Sequence, residues 1–394
     1  MFLRVSRPSR RRFFRGEKRL QANTEALLGP ARGPRPGRIM VTLGVEAADD
    51  PYFITRLVQQ GADVVRINCA HDDENVWAHM IAHARTAEQK LGRRICILMD
   101  IAGPKVRTLD VTTLRDRDRL LVGDELLLRQ EPALAYSGFS TGCTIPEIFG
   151  RLKVGDRVSL DDGKLRGKII RQSEEGLVAR FEEGRTKGLR LKPEKGLNFP
   201  DVDLGLGPLT DEDKRHLDFV VHHADLVGYS FVQSAKHVAT LQDELAARRS
   251  DWRRLGLIAK IETPRAVRNL PEIIVQAAGR QPVGVMIARG DLAIELGFER
   301  VAEMQEEILW VCEAAQVPAI WATQVLESLV SKGLPSRGEM TDAAMSARAE
   351  CVMLNKGPNL LAGVAALDRL PARMGAHQSK KTPTLRALRS WDQE

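Results

Sequence analysis

The sequence predicts an α/β fold, a (β/α)8 barrel interrupted by a small antiparallel β domain. Eight β-rich apolar runs recur along the chain, and amphipathic segments of helical length lie between most of them. Strand–helix alternation is typical of parallel βαβ units, and eight such units suit a closed barrel. The eight runs are residues 38–43, 63–68, 95–100, 225–231, 257–262, 283–288, 319–323 and 351–354.

The interval between the third and fourth runs has a different pattern, in which short alternating runs are separated by tight-turn signals. Glycine beside aspartate favours such turns between antiparallel strands. The signals are Gly123–Asp124, Gly155–Asp156 and Asp162–Gly163. We therefore expect a basic N-terminal arm and linker at 1–37, a catalytic barrel at 38–107 and 204–376, an inserted β-barrel lid domain at 108–203 and a C-terminal tail at 377–394.

The net charge of +7 comes from the N-terminal arm. Residues 1–38 hold eleven Lys or Arg against Glu17 and Glu25, a local charge of +9, so the remaining residues sum to −2. An arginine-rich, acid-poor start is consistent with a solvated lead-in, an organelle-targeting presequence or a nucleic-acid-binding arm. We expect the solvated lead-in and no nucleic-acid partner, because basic arms are weakly specific.

Cysteine spacing and hydropathy narrow the class of protein further. The five cysteines, at positions 69, 96, 143, 312 and 351, form no C-x-x-C pair. Neither a zinc site nor a disulfide framework is indicated, which fits a reducing cytoplasm. The apolar runs are too short to span a bilayer, so we expect no membrane partner.

Polar residues follow several of the predicted strands, at the end of the barrel where catalytic groups of such folds lie. These strand ends read RINCAH from Arg66, DIAGPKVR from Asp100, KIE from Lys260, ARGD from Ala288 and ATQ from Ala322.

Glu262 and Asp291 follow adjacent strands, so their carboxylates can converge. Two carboxylates with waters and substrate oxygens make a typical Mg2+ site, because this hard cation keeps several non-protein ligands. Lys260 lies two residues before Glu262, so both side chains point to the same side of the strand. A lysine beside a metal and an anionic substrate suits phosphoryl transfer. A surface salt bridge is the alternative interpretation of this pair.

Other strand-end residues are candidates for anion binding. Arg66 and Arg107 suit phosphate recognition, because a guanidinium fork matches phosphate oxygens. His71 is as consistent with a structural hydrogen bond as with a ligand contact, and Thr323 places a hydroxyl at the rim. Backbone N–H groups before an expected helix could hold a carboxylate. These groups belong to Ala288, Arg289, Gly290 and Asp291.

Together these segments resemble the pyruvate kinase family over about residues 38–374. RINCAH is similar to the family's Arg-x-Asn-x-Ser-His segment, and MDIAGPKVR to its Asp-x-x-Gly-Pro-x-x-Arg segment. The runs IAKIE, MIARGDLAIE and IWATQVLESLVSKGLPSRGE match the family over many consecutive positions. Its inserted β domain is matched by DDG at Asp161 and KGLN at Lys195.

The resemblance implies an enzyme dependent on Mg2+ or Mn2+ that moves the phosphoryl group of phosphoenolpyruvate to ADP, giving pyruvate and ATP. Lys260 would stabilise the moving phosphoryl group and Arg66 would contact it. Thr323 would bind substrate and help to deliver a proton to the enolate. The inserted domain would close as a lid that excludes water.

The same resemblance implies the binding groups. Glu262 and Asp291 would hold the metal, and the backbone from Ala288 to Asp291 would bind the substrate carboxylate. The nucleotide side would be formed by Arg66, Asn68, His71, Arg107 and Lys195.

One departure concerns the family's monovalent-cation site, which has Ser and Thr where this chain has Ala70 and Ile101. Lys105 stands where K+-dependent members have Glu, and members that do not need K+ resemble this chain in having Lys there. The resemblance therefore implies that the Lys105 ammonium replaces K+, and we expect that K+ is not required.

Two further departures concern the end of the chain. The family's Ser-Gly-Glu-Thr-Ala after strand eight is replaced by the residues Asn355, Lys356, Gly357 and Pro358, beside the substrate pocket. The sequence stops soon after the last barrel helix, so we expect no C-terminal effector domain and no sugar-phosphate allostery. The sequence leaves open whether the chain forms a homo-oligomer through the barrel.

Two other functions remain as alternatives. A lyase- or aldolase-type enzyme would keep the metal and enolate chemistry but act on another phosphoenolpyruvate- or pyruvate-like substrate and bind no ADP. A non-catalytic homologue would have no need of the set formed by Lys260, Glu262, Asp291 and Thr323.

Overall fold

The computed structural model describes residues 15–33, 35–130 and 137–378. The expected tail at 377–394 therefore lies almost wholly outside the described residues, as does the first part of the basic arm. The chain divides into two compact units. The first unit comprises residues 1–103, 208–289 and 302–394, and the second comprises residues 104–207 and 290–301.

The strands are β1 (Arg38–Thr42), β2 (Val64–Asn68), β3 (Cys96–Ile101), β4 (Thr108–Thr112), β5 (Arg119–Leu120), β6 (Glu125–Leu128), β7 (Phe139–Cys143), β8 (Arg157–Leu160), β9 (Leu165–Ser173), β10 (Gly176–Gly184), β11 (Leu189–Arg190), β12 (Leu197–Asn198), β13 (Leu226–Tyr229), β14 (Gly256–Ile261), β15 (Val283–Ala288), β16 (Ala319–Ala322) and β17 (Cys351–Leu354).

The helices are α1 (Arg15–Leu28), α2 (Glu46–Asp49), α3 (Phe53–Gln60), α4 (Glu74–Leu91), α5 (Asp211–His223), α6 (Ala235–Arg248), α7 (Pro264–Arg268), α8 (Leu270–Ala278), α9 (Arg289–Leu296), α10 (Phe298–Ala315), α11 (Glu327–Lys332), α12 (Arg337–Met345) and α13 (Leu360–Gln378), with short 3-10 turns at Pro146–Arg151, Trp252–Arg254 and Ser346–Arg348.

The first unit contains the predicted barrel. Within the described residues, eight strands close it in the order β1-β17-β16-β15-β14-β13-β3-β2, and every neighbouring pair is parallel. The strands are almost continuously buried, as expected when side chains fill the interior and helices cover the outside. All eight apolar runs became strands, so the (β/α)8 prediction is confirmed.

Local sequence signals fix where the barrel helices begin. The side chain of Asp73 accepts hydrogen bonds from the N–H groups at the start of α4. Thr210 and Asp213 form a reciprocal capping box at the start of α5, which satisfies backbone donors that a helix leaves unpaired. Asp213 also accepts a hydrogen bond from the backbone N–H of Gly103, at 3.1 Å, so the same carboxylate ties α5 to the end of β3.

The structure differs from the solvated arm expected at 1–37. Residues 15–28 form α1, and its last residues, Leu27 and Leu28, are only 3% and 2% exposed. Both leucines belong to one apolar cluster with inward-facing residues of the barrel strands, including Met40, Ile258 and Met286. Burial of apolar surface explains the difference, because two leucines stabilise this helix end against the barrel despite the basic composition around them.

The second unit is a sheet of seven strands, among the described residues, in the order β12-β8-β9-β10-β6-β7-β4, with β5 and β11 paired separately. Its pairs are antiparallel except for β6 and β7, which run parallel. β9 and β10 approach so closely that a Cβ on Gly167 would lie 1.9 Å from the carbonyl oxygen of Arg180. Residues 290–301, which carry part of the predicted site, group with this unit.

Candidate active site

Lys260 lies near the end of β14 and is only 9% exposed. Its ammonium donates a hydrogen bond to the hydroxyl Oγ of Ser230 at 2.7 Å. The same nitrogen lies 3.2 Å from Asp100 Oδ2 and 3.2 Å from Glu262 Oε1. An ammonium has three N–H donors, so these three oxygens fix its position closely.

Arg66, in the middle of β2, joins the same cluster through Asp100. Its Nε and Nη2 donate to Asp100 Oδ2 at 2.9 and 2.6 Å, and its Nη1 donates to Thr42 Oγ1 at 3.0 Å. Burial alone would raise the pKa of Asp100, but Lys260 and Arg66 outweigh it and hold the pKa below the usual aspartate value. Asp100 is therefore ionised at neutral pH and orients two cations.

Glu262 follows β14 directly and is 2% exposed. Besides its ion pair with Lys260, its Oε2 accepts a hydrogen bond from the backbone N–H of Phe231 at 2.5 Å. Phe231 has a φ of +54°, a backbone conformation that is rare for a side chain of this size. The cluster thus contains two cations and two carboxylates from β2, β3 and β14, within one run of four consecutive barrel strands. This balanced arrangement suits binding of both a metal and an anion.

Thr323 follows β16 at the same end of the barrel and has a φ of +62°. It is half-buried, and its carbonyl oxygen accepts a hydrogen bond from Arg289 Nη2 at 2.7 Å. Arg289 begins α9, immediately after β15, where the sequence predicted the start of a helix. Ala288 and Arg289 are buried, and the adjacent Gly290 and Asp291 belong to the second unit.

In the second unit, Lys105 lies beside Asp291. Its ammonium is 2.9 Å from Asp291 Oδ1 and 3.7 Å from Asp162 Oδ1. Lys105 was predicted to supply a positive charge and Asp291 to bind a metal. In the structure these two residues form an ion pair. Glu262 lies in the first unit, so the convergence of Glu262 and Asp291 on one metal remains a prediction.

The predicted nucleotide residues fall into separate small groups. Lys195 Nζ lies 3.2 Å from Asp161 Oδ1. Arg107 donates to the carbonyl oxygen of Glu194 at 3.2 Å. In the first unit, the side chain of Asn68 accepts from the N–H of Ala70, and His71 is exposed after β2.

Within the described ranges, no group of three or more His, Cys, Asp or Glu side chains is arranged to hold a metal ion. Among the helices that the structure describes, none combines the length and apolar character needed to cross a membrane.

Sequence reasoning missed three residues that organise this site. Asp100 stood at a recognised strand end but was given no role. Ser230 was not singled out, and neither was Asp342, whose Oδ2 accepts a hydrogen bond from Arg289 Nη2 at 2.9 Å. Asp100 and Ser230 contact Lys260 because β3, β13 and β14 are neighbours in the closed barrel. The Asp-x-x-Gly-Pro-x-x-Arg pattern was the signal that could have pointed to Asp100.

The fold and these side chains first define a class, a (β/α)8 barrel protein with a buried cation–carboxylate cluster at the carboxyl ends of its strands. Residues 34–358 match the family model described as the barrel domain of pyruvate kinase. The chain therefore belongs to the pyruvate kinase family.

Similar proteins agree with this assignment. The chain is 33% identical to a pyruvate kinase of Agrobacterium vitis over 79% of its own length, and 34% identical to one of Methylorubrum extorquens over 82%. It is 31% identical to the human pyruvate kinase PKLR over 82% of its length. These alignments cover 62%, 64% and 56% of the three relatives, so the chain spans about three fifths of their length.

Proposed function

We propose that this protein transfers the phosphoryl group of phosphoenolpyruvate to ADP, giving pyruvate and ATP. The observation that carries the proposal is the buried Lys260 ammonium, held by Ser230, Asp100 and Glu262 at the carboxyl ends of the barrel strands. Catalysis of phosphoryl transfer consists mainly of positioning and charge stabilisation, which a fixed, water-shielded cation supplies. Membership of the pyruvate kinase family supports this choice of substrates.

In this proposal, each barrel residue has a separate role in the reaction that matches its chemical type. Lys260 stabilises the charge of the phosphoryl group in transit, and Arg66 contacts the same group from β2. The Thr323 hydroxyl binds the substrate and helps to deliver a proton to the enolate left after transfer. Backbone N–H groups from Ala288 to Asp291 bind the substrate carboxylate at the start of α9.

The donor set of the site fits a hard divalent cation such as Mg2+ or Mn2+. Glu262 and Asp291 provide carboxylate oxygens, the ligands that such a cation prefers, and each lies beside a lysine ammonium. These two residues would hold the ion, with substrate oxygens and water completing its coordination. When bound, the metal neutralises charge on the phosphate and enolate oxygens.

Lys105 replaces a monovalent cation in this proposal. Its ammonium lies 2.9 Å from Asp291 Oδ1, so a fixed positive charge is already present at this carboxylate. Ala70 and Ile101 lack the side-chain oxygens that would help to bind K+. K+ is therefore not required for activity.

ADP would be contacted by Arg66, Asn68, His71, Arg107 and Lys195. Three of these residues carry permanent positive charge, which matches a nucleoside diphosphate. The enzyme acts in the cytoplasm on soluble metabolites.

The experiment measures pyruvate formation from phosphoenolpyruvate, ADP and Mg2+ in the presence and absence of K+. Wild-type protein should form pyruvate equally well in both conditions. Lys105→Glu should be about 10-fold or more slower without K+, because a like charge replaces the cation beside Asp291. An unchanged rate in this variant, or a wild-type enzyme active only with K+, would eliminate the role of Lys105 while leaving the kinase intact.

A second candidate keeps the barrel and the metal but uses another enolate-forming substrate. Asn355, Lys356, Gly357 and Pro358, which replace the family's usual segment after β17, favour it. Such an enzyme would bind no ADP. Folded protein that forms no pyruvate and gives no calorimetric signal with ADP would favour this candidate.

A further inference from the structure

The side chain of Arg289 makes a set of contacts that its place in the sequence does not predict. It is 8% exposed, and its guanidinium lies 4.6 Å from the centre of the Trp321 ring. Nε donates to the carbonyl oxygen of Ala322 at 3.0 Å, and Nη2 donates to that of Thr323 at 2.7 Å. One guanidinium therefore binds the last residue of β16 and the first residue beyond it.

Asp342 fixes the orientation of this guanidinium. Its carboxylate, on α12, accepts from Arg289 Nη2 at 2.9 Å through Oδ2 and from Nη1 through Oδ1. A two-pronged ion pair of this kind sets the plane of the guanidinium as well as its position, which a lysine ammonium cannot do. The pair thus joins the start of α9, the end of β16 and α12 within the first unit.

The segment held by this pair has an unusual backbone. Thr323, Gln324 and Leu326 have φ values of +62°, +56° and +48°, although none of them is glycine. A branched residue such as threonine adopts this conformation only when the surrounding structure imposes it. Hydrogen bonds from Arg289 to the carbonyl oxygens of Ala322 and Thr323 act where the chain enters this conformation.

We propose that the Arg289 side chain, oriented by Asp342, is a positioning residue that holds the Thr323 hydroxyl in place for proton delivery to the enolate. This inference rests on the proposed function. It assigns two tasks to one residue, since the backbone of Arg289 belongs to the proposed carboxylate-binding turn and its side chain holds the end of the neighbouring strand β16. Substrate binding and proton delivery are then coupled through a single buried side chain.

The test compares Arg289→Lys with Arg38→Lys in the full-length protein. Arg38 is another buried arginine, 4% exposed, at the amino end of the barrel, and it too donates to backbone carbonyl oxygens, those of Gly29 and Pro36. Asp342→Asn serves as a second variant that keeps Arg289 but weakens its orientation. The readouts are kcat, KM for ADP, the solvent deuterium isotope effect on kcat, and amide hydrogen exchange of residues 323–326.

In Arg289→Lys, kcat should fall about 10- to 100-fold, since misplacing a reacting group by about 1 Å costs up to this factor, while KM for ADP stays within about twofold. The isotope effect on kcat should rise, because proton delivery becomes slower, and the amides of residues 323–326 should exchange faster. Asp342→Asn should change kcat, the isotope effect and the amide exchange in the same directions, but by smaller amounts. Arg38→Lys should change none of them.

The isotope effect separates positioning from a general structural role, because a smaller folded fraction lowers kcat equally in H2O and D2O. An unchanged isotope effect and unchanged exchange in Arg289→Lys, or the same changes in Arg38→Lys, would overturn the inference. Wild-type protein that forms no pyruvate would instead refute the proposed function and the proton-delivery role together. Amide exchange would still decide whether Arg289 holds the segment.

Discussion

The two ends of the barrel both contain buried charges, but they use them differently. At the amino end, Arg38 donates to the carbonyl oxygen of Gly29, and Arg35 pairs with Asp63 at 2.8 Å, beside the apolar contact made by Leu27. At the carboxyl end, the Lys260 cluster places cations and carboxylates beside one another at the rim where such barrels carry their active sites.

The backbone differs between the ends as well. Among the described residues of the first unit, positive φ values at non-glycine residues occur after β2, β13 and β16, at Asp72, Phe231, Thr323, Gln324 and Leu326. On the amino side, the described non-glycine residue with a positive φ is Gln316, which follows the end of α10. A left-handed backbone conformation is common just after a helix ends. Each strained residue costs about 1–3 kcal/mol and persists only where the surrounding structure imposes it.

The comparison teaches that one barrel separates stability from chemistry along its axis. Apolar burial and arginine–carbonyl contacts stabilise the amino end, whereas the carboxyl end keeps concentrated charge and strained turns. Changes at the amino end should therefore alter unfolding without altering turnover, whereas changes at the carboxyl end should alter turnover most.

The largest expected effect is that of Lys260→Met on turnover. Loss of one fixed charge-stabilising donor costs about 10²–10³-fold in kcat, and no other described cation occupies the same position between Ser230, Asp100 and Glu262. Lys90→Met, which removes an exposed lysine at the end of α4 on the amino side, is the matched control and should keep wild-type kcat. Comparable losses in both variants would break the division between the two ends.

The second effect concerns the amino end, where Leu27→Ala should destabilise the fold. Leu27 is 3% exposed, and its two methyl groups fill the space beside Gly256 and Gly284 in the barrel strands. Truncation of this side chain therefore leaves a cavity. The expected loss in the free energy of unfolding is about 2–5 kcal/mol, measured by chemical denaturation, with kcat unchanged. Leu334→Ala, at a leucine that is 78% exposed, should have little effect on unfolding. Loss of turnover at unchanged stability in Leu27→Ala would contradict this assignment.

The smallest effect is a difference in pH dependence between two carboxyl groups. Burial raises the pKa of Glu350, just before β17, to about 7, whereas the pKa of Asp100 is lowered by Lys260 and Arg66 despite burial. A raised pKa means that the folded state binds the proton more tightly than the unfolded state does. The contribution of Glu350 to stability is therefore present below about pH 4.3 and lost as pH rises through 7.

Glu350→Gln should remove this part of the pH dependence while keeping an acceptor for the N–H of Ala319. Unfolding free energies at pH 5.5, 7 and 8.5 measure the effect, and Glu183→Gln, at an exposed site in the second unit, is the control. Parallel profiles for wild type and Glu350→Gln would rule out this contribution. The contribution of Asp100 to stability has the opposite pH dependence, because its pKa is lowered in the folded state. This contribution is present above about pH 4 and is lost in stronger acid.

The barrel could be predicted because its signal is local and repeated: each strand is a short apolar run, and polar residues follow it. Lys260, Glu262 and Arg66 were predicted from the same pattern. The burial of Leu27 could not be predicted, since two leucines within a basic segment give no periodic signal. The roles of Asp100 and Ser230 depend on which strands become neighbours when the barrel closes. The role of Arg289 depends on its side chain extending toward the end of β16. Neither property is local in sequence.

Phosphorus NMR of phosphoenolpyruvate and ADP mixed with the protein and Mg2+, without K+, tests the central claim most directly. We expect the phosphoenolpyruvate signal to decline while the γ-phosphate signal of ATP grows in equal amount. Unchanged spectra from folded protein, or release of inorganic phosphate without ATP, would contradict a phosphotransferase centred on Lys260.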